Sequence, residues 1–248
     1  MIHIVIKTPL GMGDQLICSG AVKRFVKNTK HEKIDIVTRA YQYRNTKQLY
    51  EDCSNVRVVG VTPWDEYDRG WKEPFKKLDT HPRFLYFGED GHHQKYRQGQ
   101  KFDVRFYKSM GLDIEEKWKN FSLKRNRENE QVCYDKFVTG DYIFVHDESS
   151  LGVHELNIDS KLPIIRPDRE YCIFDWLKII ENAKQIHCVD SSFLNMIDLL
   201  QIKGDKYYHD AKDKYIKDNK LQMWIDVLQD ENGECSPTIR DDWQRVRY

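Results

Sequence analysis

The chain lacks an excess of either charge, a long apolar run and any cysteine cluster, and each absence removes a class of protein. Its 40 basic side chains balance 40 acidic ones, so no global field marks a binder of nucleic acid or of an anionic membrane. The expected partner is a small molecule or a neutral surface. No stretch approaches the roughly 20 apolar residues that cross a bilayer, and the N-terminus runs directly into a strand pattern instead of a signal peptide. A soluble, cytoplasmic protein without a transmembrane segment is expected, with peripheral membrane contact left open. Cys18, Cys53, Cys133, Cys172, Cys188 and Cys235 are scattered without a CxxC pair or a Cys/His group, which argues against a zinc site and a disulfide framework and predicts reduced thiols. His92 and His93 are adjacent, so their side chains diverge and make a poor metal site.

What the chain does have is a strong opening. Ile2, Ile4, Val5 and Ile6 form an apolar run of strand length, Gly11-Met12-Gly13-Asp14 punctuates it, and Leu16, Ile17, Ala21, Val22, Phe25 and Val26 recur at helical spacing. This predicts strand, turn and helix. In doubly wound α/β proteins such a turn lies at the carboxyl edge of the sheet, where ligands bind, and glycines let the backbone approach them. Asp14 is expected at or just before the helix start, where capping the helix is its ordinary use.

The pattern then repeats. Lys33 to Thr38 and Val56 to Val61 read as strands flanking a helix from Tyr41 to Asp52, and Arg83 to Phe87 reads as a fourth strand. Between them Thr62 to Pro82 is an irregular stretch whose Trp64, Tyr67 and Trp71 either pack it down or stack on a sugar. A helix is predicted from Phe102 to Met110, ended by Gly111. The charged run Lys124 to Gln131 has no apolar period and reads as the crossing between two domains, 1 to 125 and 126 to 248. Beyond it Tyr142 to Val145, Leu162 to Ile165 and Gln185 to Val189 read as strands and Phe174 to Ala183 as a helix. Tyr215 to Leu228 reads as a closing helix that packs back near the first domain, and the tail from Asp230 is polar apart from Trp243.

Two further clusters follow strand ends. One is His146-Asp147-Glu148-Ser149-Ser150. The other is Asp190-Ser191-Ser192-Phe193, at the start of an apolar helix running to Leu200. Hydroxyls and unpaired backbone N–H groups converging at a helix start hold phosphate in α/β proteins, although Ser191 or Asp190 also serves there as an ordinary cap.

With both junctions in view, the chain resembles the two-domain GT-B glycosyltransferases of the lipopolysaccharide heptosyltransferase group. The likeness rests on the strand followed by Gly11-Met12-Gly13-Asp14 and a helix, on Ala183 to Ser192 and the helix after it, and on Phe106-Tyr107 to Trp118 and Phe121. It implies an α/β fold of two Rossmann-like domains facing a cleft, the first for the acceptor and the second for the donor. It also implies Asp14 as base for the acceptor hydroxyl and the Asp190-Ser191-Ser192 helix start as the holder of a nucleotide sugar's diphosphate. The acceptor would be a glycan or glycolipid. Gly13, His146, Ser149 and Phe193 are the remaining donor-side candidates, with Arg166, or Arg169, the expected cation. Asn195 stands where that family usually has His, and the chain is shorter than typical members.

The chemistry is coherent without the name, because sugar transfer from a nucleoside diphosphate needs a base for the acceptor and N–H-rich or cationic groups for the leaving diphosphate. No DxD-like pair sits in a persuasive place, Asp241-Asp242 lying in the tail, so no metal and no cofactor are expected. A dehydrogenase fits poorly, since Leu16 occupies the place of the third glycine in G-x-G-x-x-G. A binding protein of the same fold that has lost activity is the remaining alternative.

Overall fold

The computed structural model describes residues 2–7, 11–29, 32–61, 72, 83–86, 101–149, 152–210 and 238–247. The chain divides into two compact units, one of Met1–His93 with Arg105–Arg125 and the other of Gln94–Val104 with Asn126–Tyr248.

In the first unit the apolar run becomes β1 (His3–Lys7), buried along its whole length, and the helical spacing becomes α1 (Met12–Asn28). There follow β2 (Lys33–Arg39), a 3-10 turn (Ala40–Gln42), α2 (Tyr43–Leu49), β3 (Val56–Val61) and β4 (Arg83–Tyr86). The four strands are parallel in the order β3-β2-β1-β4. Chain direction across the sheet reverses between β1 and β4, so the turn carrying Gly11 to Asp14 leaves the sheet at its switch point. On one face Val5, Val37 and Val61 pack with Val59 and Phe84. At the other end of that face Asp35, fully buried, accepts from His3 Nε2 at 2.6 Å and from Arg57 Nε at 2.7 Å, which satisfies a charge that would otherwise be costly to bury.

The middle of α1 is locked in place by two short helices, α3 (Phe102–Ser109) and α4 (Glu116–Lys119). The Tyr107 hydroxyl donates to the Ile17 carbonyl at 2.9 Å and accepts from the Ala21 N–H at 3.3 Å. Gly20 sits between them with no room for a side chain, as a Cβ there would stand 2.6 Å from the Glu116 carbonyl oxygen. One turn on, the buried Lys23 ammonium donates to both Asp52 oxygens, at 2.6 and 2.8 Å, and to the Ser122 carbonyl at 2.6 Å, pinning the segment that leaves the unit.

The second unit contains α5 (Arg127–Phe137), β5 (Ile143–His146), a small hairpin of β6 (Glu148–Ser149) and β7 (Gly152–Val153), and β8 (Ile164–Ile165). A 3-10 turn (Ile173–Trp176) runs into α6 (Leu177–Asn182), followed by β9 (Gln185–Cys188), α7 (Ser192–Leu200), β10 (Asp205–Asp210) and β11 (Gln244–Arg247). All five strands of the main sheet are parallel, in the order β11-β10-β9-β5-β8. The first strand in sequence, β5, thus lies between the second and the third, and the switch point of this sheet falls between β5 and β9.

Several expectations need correction. The charged run Lys124 to Gln131 is not all crossing, because α5 starts within it at Arg127, capped by Asn126, whose side chain accepts from the Asn129 N–H at 3.1 Å. The helix expected from Tyr41 to Asp52 is shorter and is preceded by the 3-10 turn. Two strands, β10 and β11, stand where no strand was expected, and Trp243 at the start of β11 is buried beneath Lys206. The Thr62 to Pro82 aromatics, His92 and His93, Ser150 and the Tyr215 to Leu228 helix lie outside the described residues.

Candidate functional site

At the edge of the first sheet, Asp14 lies inside the first turn of α1, with Gly11 as the N-cap residue. Its Oδ2 accepts from the Gly11 N–H at 3.3 Å, and a Cβ at position 11 would meet that same oxygen at 3.0 Å. Glycine at 11 therefore lets the carboxylate fold back over the turn. Asp14 and Gly13 both remain partly exposed. The next residue, Gln15, points inward and knits the turn to its neighbours. Its Nε2 donates to Gln42 Oε1 at 2.6 Å and to Thr38 Oγ1 at 3.2 Å, while its Oε1 accepts from Thr46 Oγ1 at 2.8 Å. This buried network was not foreseen, since an isolated Gln beside an Asp carries no signal in the sequence.

At the edge of the second sheet, β5 delivers His146 and β9 delivers Asp190 and Ser191 to the switch point. His146 Nδ1 lies 3.0 Å from Ser191 Oγ. Ser191 is also the N-cap of α7, its Oγ accepting from the Leu194 N–H at 3.4 Å. The N–H groups of Ser192 and Phe193, in the first helical turn, have no acceptor within the helix. Phe193 is buried, its ring 5.6 Å from that of Phe144 and 4.4 Å from the imidazole of His146, so it props His146 from beneath. Burial depresses the pKa of His146 to about 4 although Asp147 and Glu148 oppose this, so the ring is neutral at physiological pH.

Asn195, one turn into α7, donates through Nδ2 to the Ser191 carbonyl at 3.0 Å, while its Oδ1 is buried without a hydrogen bond. Arg166, just past β8, donates through Nε to Asp147 Oδ2 at 2.8 Å and is half exposed. Arg169 is paired with Glu148. The Ser149 hydroxyl is engaged at 2.7 Å with His154 Nε2. The structure thus gathers His146, Asp190, Ser191, Ser192 and Phe193 at one point, whereas Ser149 belongs to the hairpin and Arg166 reaches the edge already paired to an acid.

Among the described residues no three His, Cys, Asp or Glu side chains meet as a metal site requires. The described cysteines form no disulfide, and burial pushes the thiols of Cys53 to about 11 and Cys133 to about 12, which leaves these two protonated and poor nucleophiles. Among the described residues no helix is long and apolar enough to cross a membrane.

Parallel sheets flanked by helices, with polar clusters at their switch points, define an α/β protein. No family model and no curated protein matches the sequence. The Escherichia coli ADP-heptose lipopolysaccharide heptosyltransferase II is similar in structure with a TM-score of 0.54 at 9% identity, over 99% of this chain and 90% of that one. A glycosyl transferase of family 9 from Veillonella parvula gives 0.53 at 10% identity, over 94% and 95% of the two chains. E. coli heptosyltransferase WaaC, solved with ADP-2-deoxy-2-fluoro heptose, gives 0.50 at 11% identity over 99% and 93%.

Proposed function

We propose that the protein is a metal-independent glycosyltransferase of GT-B type, moving a sugar from a nucleoside-diphosphate donor to a hydroxyl of a glycan or glycolipid. The observation that carries this reading is that each parallel sheet brings its candidate residues to its own switch point, the turn of Gly11 to Asp14 in one and His146 with Ser191 in the other. Open α/β sheets bind ligands at such points. In this reading the first unit serves the acceptor and the second the donor, each at the carboxyl edge of its own sheet.

The donor's diphosphate is received by the N–H groups and hydroxyls at the start of α7, where the helix dipole favours negative charge. Ser191 Oγ, accepting from Leu194, donates its own proton to His146 Nδ1, which leaves the imidazole proton on Nε2 as a further donor for the leaving group. The buried Oδ1 of Asn195 is an acceptor in need of a donor, and a hydroxyl or water bound with the nucleotide supplies one. Asp14 takes the proton of the acceptor hydroxyl as the bond to the sugar forms.

The contact of Asp14 with the Gly11 N–H also favours a second reading, a nucleotide- or sugar-binding protein in which Asp14 only caps α1. Two measurements decide. Thermal-shift screening with ADP, UDP, GDP and their sugars should identify a ligand, since one held at 100 times its Kd adds roughly 2.7 kcal/mol of stability. With the donor in hand, Asp14→Asn should still bind it and lose transfer by about 10² to 10⁴-fold. Binding without turnover in the unaltered protein, across an acceptor panel of glycans and glycolipids, would establish the second reading instead.

A further inference from the structure

Tyr41 is unusual among the large side chains of the first unit. It is 68% exposed, yet it is firmly held. It occupies the 3-10 turn directly after β2, at the same carboxyl edge from which β1 feeds the turn of Gly11 to Asp14. Neighbouring strands lie about 4.8 Å apart, so the two turns are side by side. They are also tied together, because Gln15 donates to Gln42 at 2.6 Å. On its far side the turn rests on β3, where Gly60 leaves space for Tyr43 and a Cβ would meet the Tyr43 ring at 3.4 Å. The Tyr41 hydroxyl accepts from Arg39 NH1 at 3.2 Å.

An exposed tyrosine on a surface ordinarily needs no explanation. Here, however, the polar end of the side chain is bonded to the protein while most of the residue is left to water, the reverse of what solvation alone favours. A pyranose has a face of C–H groups, slightly positive, and a rim of hydroxyls. The negative face of an aromatic ring held at fixed orientation suits that C–H face, and a pre-ordered ring loses little entropy on binding.

We propose that Tyr41 is the platform on which the acceptor's sugar ring rests, beside Asp14. This builds on the glycosyltransferase reading above and gives the first unit a carbohydrate-binding position of its own.

The test uses the full chain with methyl α-D-glucopyranoside, methyl α-D-galactopyranoside and methyl α-D-mannopyranoside at millimolar concentration, read by saturation-transfer NMR. Saturation should reach the ring C–H protons of at least one of them. It should fall about three- to tenfold in Tyr41→Ala and by less in Tyr41→Phe, which keeps the ring but not the hydroxyl that orients it. Circular dichroism should be unchanged in both variants, and Tm should fall slightly and equally in both, since each removes the oxygen that Arg39 bonds. Calorimetry with the nucleoside diphosphate found in the thermal-shift screen gives an independent reading of the second unit. Loss of sugar contact with intact nucleotide binding supports the platform. Absence of saturation transfer to all three sugars, or equal transfer in wild type and Tyr41→Ala, overturns it whatever the nucleotide result. Failure of every nucleotide to bind, with sugar contact still dependent on Tyr41, would instead reject the transferase reading and leave the platform standing.

Discussion

His146 Nδ1 and Ser191 Oγ, 45 residues apart in sequence, stand 3.0 Å apart and join the carboxyl ends of β5 and β9. The contact couples a helix cap to the imidazole of β5, so one side chain has two separable tasks. Ser191→Ala removes both and should lower stability by about 1 kcal/mol in urea denaturation. Ser191→Asp keeps the cap, and a carboxylate suits a helix start, so stability should be retained. Under the proposed function the new charge would stand where the diphosphate is received, and nucleotide binding should be lost. Nucleotide affinity in Ser191→Asp equal to that of wild type would move the diphosphate away from α7.

Two buried histidines, His187 and His209, and the partly buried His146 give the second unit a definite pH response. Burial depresses His146, His187 and His209 from 6.5 to about 4, and His187 is hydrogen-bonded to His209 at 2.9 Å and stacked 4.6 Å from Tyr207. The sign follows from proton counting. Between about pH 6.5 and 4 the unfolded chain binds more protons than the folded one, so stability is full above 6.5 and falls as pH drops through this window. Each histidine adds up to about 1.4 kcal/mol per pH unit there, less where water screens it. Asp35 and Asp52, whose pKa values are lowered despite burial by bonds to Arg57 and to Lys23, lose their contributions only below that range. Denaturation midpoints at pH 7.5, 6 and 5 should decline, and less steeply in His187→Gln. A flat profile would show that these rings titrate in the fold as they do in the unfolded chain.

The parts of the fold legible in the sequence are those in which burial and spacing agree. β1 and α1 announce themselves because Ile4 to Ile6 and Leu16 to Val26 bury nearly every apolar residue. α5 hid because its apolar positions do not follow burial: Val132 is exposed, while the fully buried residues on it are Glu130 and Cys133. β10 hid for a related reason, as its buried residues are Lys206, Tyr208 and His209, and Lys206 is accommodated by pairing with Asp242 and lying over Trp243. Strands stabilised by such pairs carry no alternation of polar and apolar residues. The candidate site was legible where it follows strand ends, at Asp14 and at Asp190 to Ser192. The Gln15 network was not, because its meaning depends on Thr38, Gln42 and Thr46 arriving beside it.

Gly20 tests how tightly α1 is held. In an isolated helix Gly20→Ala would stabilise by about 1 kcal/mol. Here the added methyl meets the carbonyl oxygens of Glu116 and Lys117 at 2.6 and 2.7 Å, backbone atoms that cannot rotate away. Overpacking of this kind typically costs about 1 to 3 kcal/mol. A net loss of stability is expected in thermal denaturation, with α4 shifted off α1. A gain would mean that the two helices separate without penalty.

The acid beside Arg166 sets the last expectation. Asp147 accepts from Arg166 Nε, which leaves the terminal nitrogens of the guanidinium available but offsets much of its charge at the edge of the second sheet. If the diphosphate is received beside His146, the two members of this pair must act in opposite directions. Asp147→Asn removes the acid and uncovers the cation, so the affinity for the nucleoside diphosphate should rise a few-fold. Arg166→Gln removes the cation and leaves Asp147 facing the phosphates, so affinity should fall by more than the loss of one screened charge, about tenfold at low salt. Both effects should shrink as salt is raised from 0.01 to about 0.15 M, because the Debye length drops from about 30 to 8 Å. Calorimetric titration of the two variants at both ionic strengths reads all four numbers. Equal affinities in Asp147→Asn and Arg166→Gln would place the diphosphate beyond the reach of this pair and remove Arg166 from the donor site.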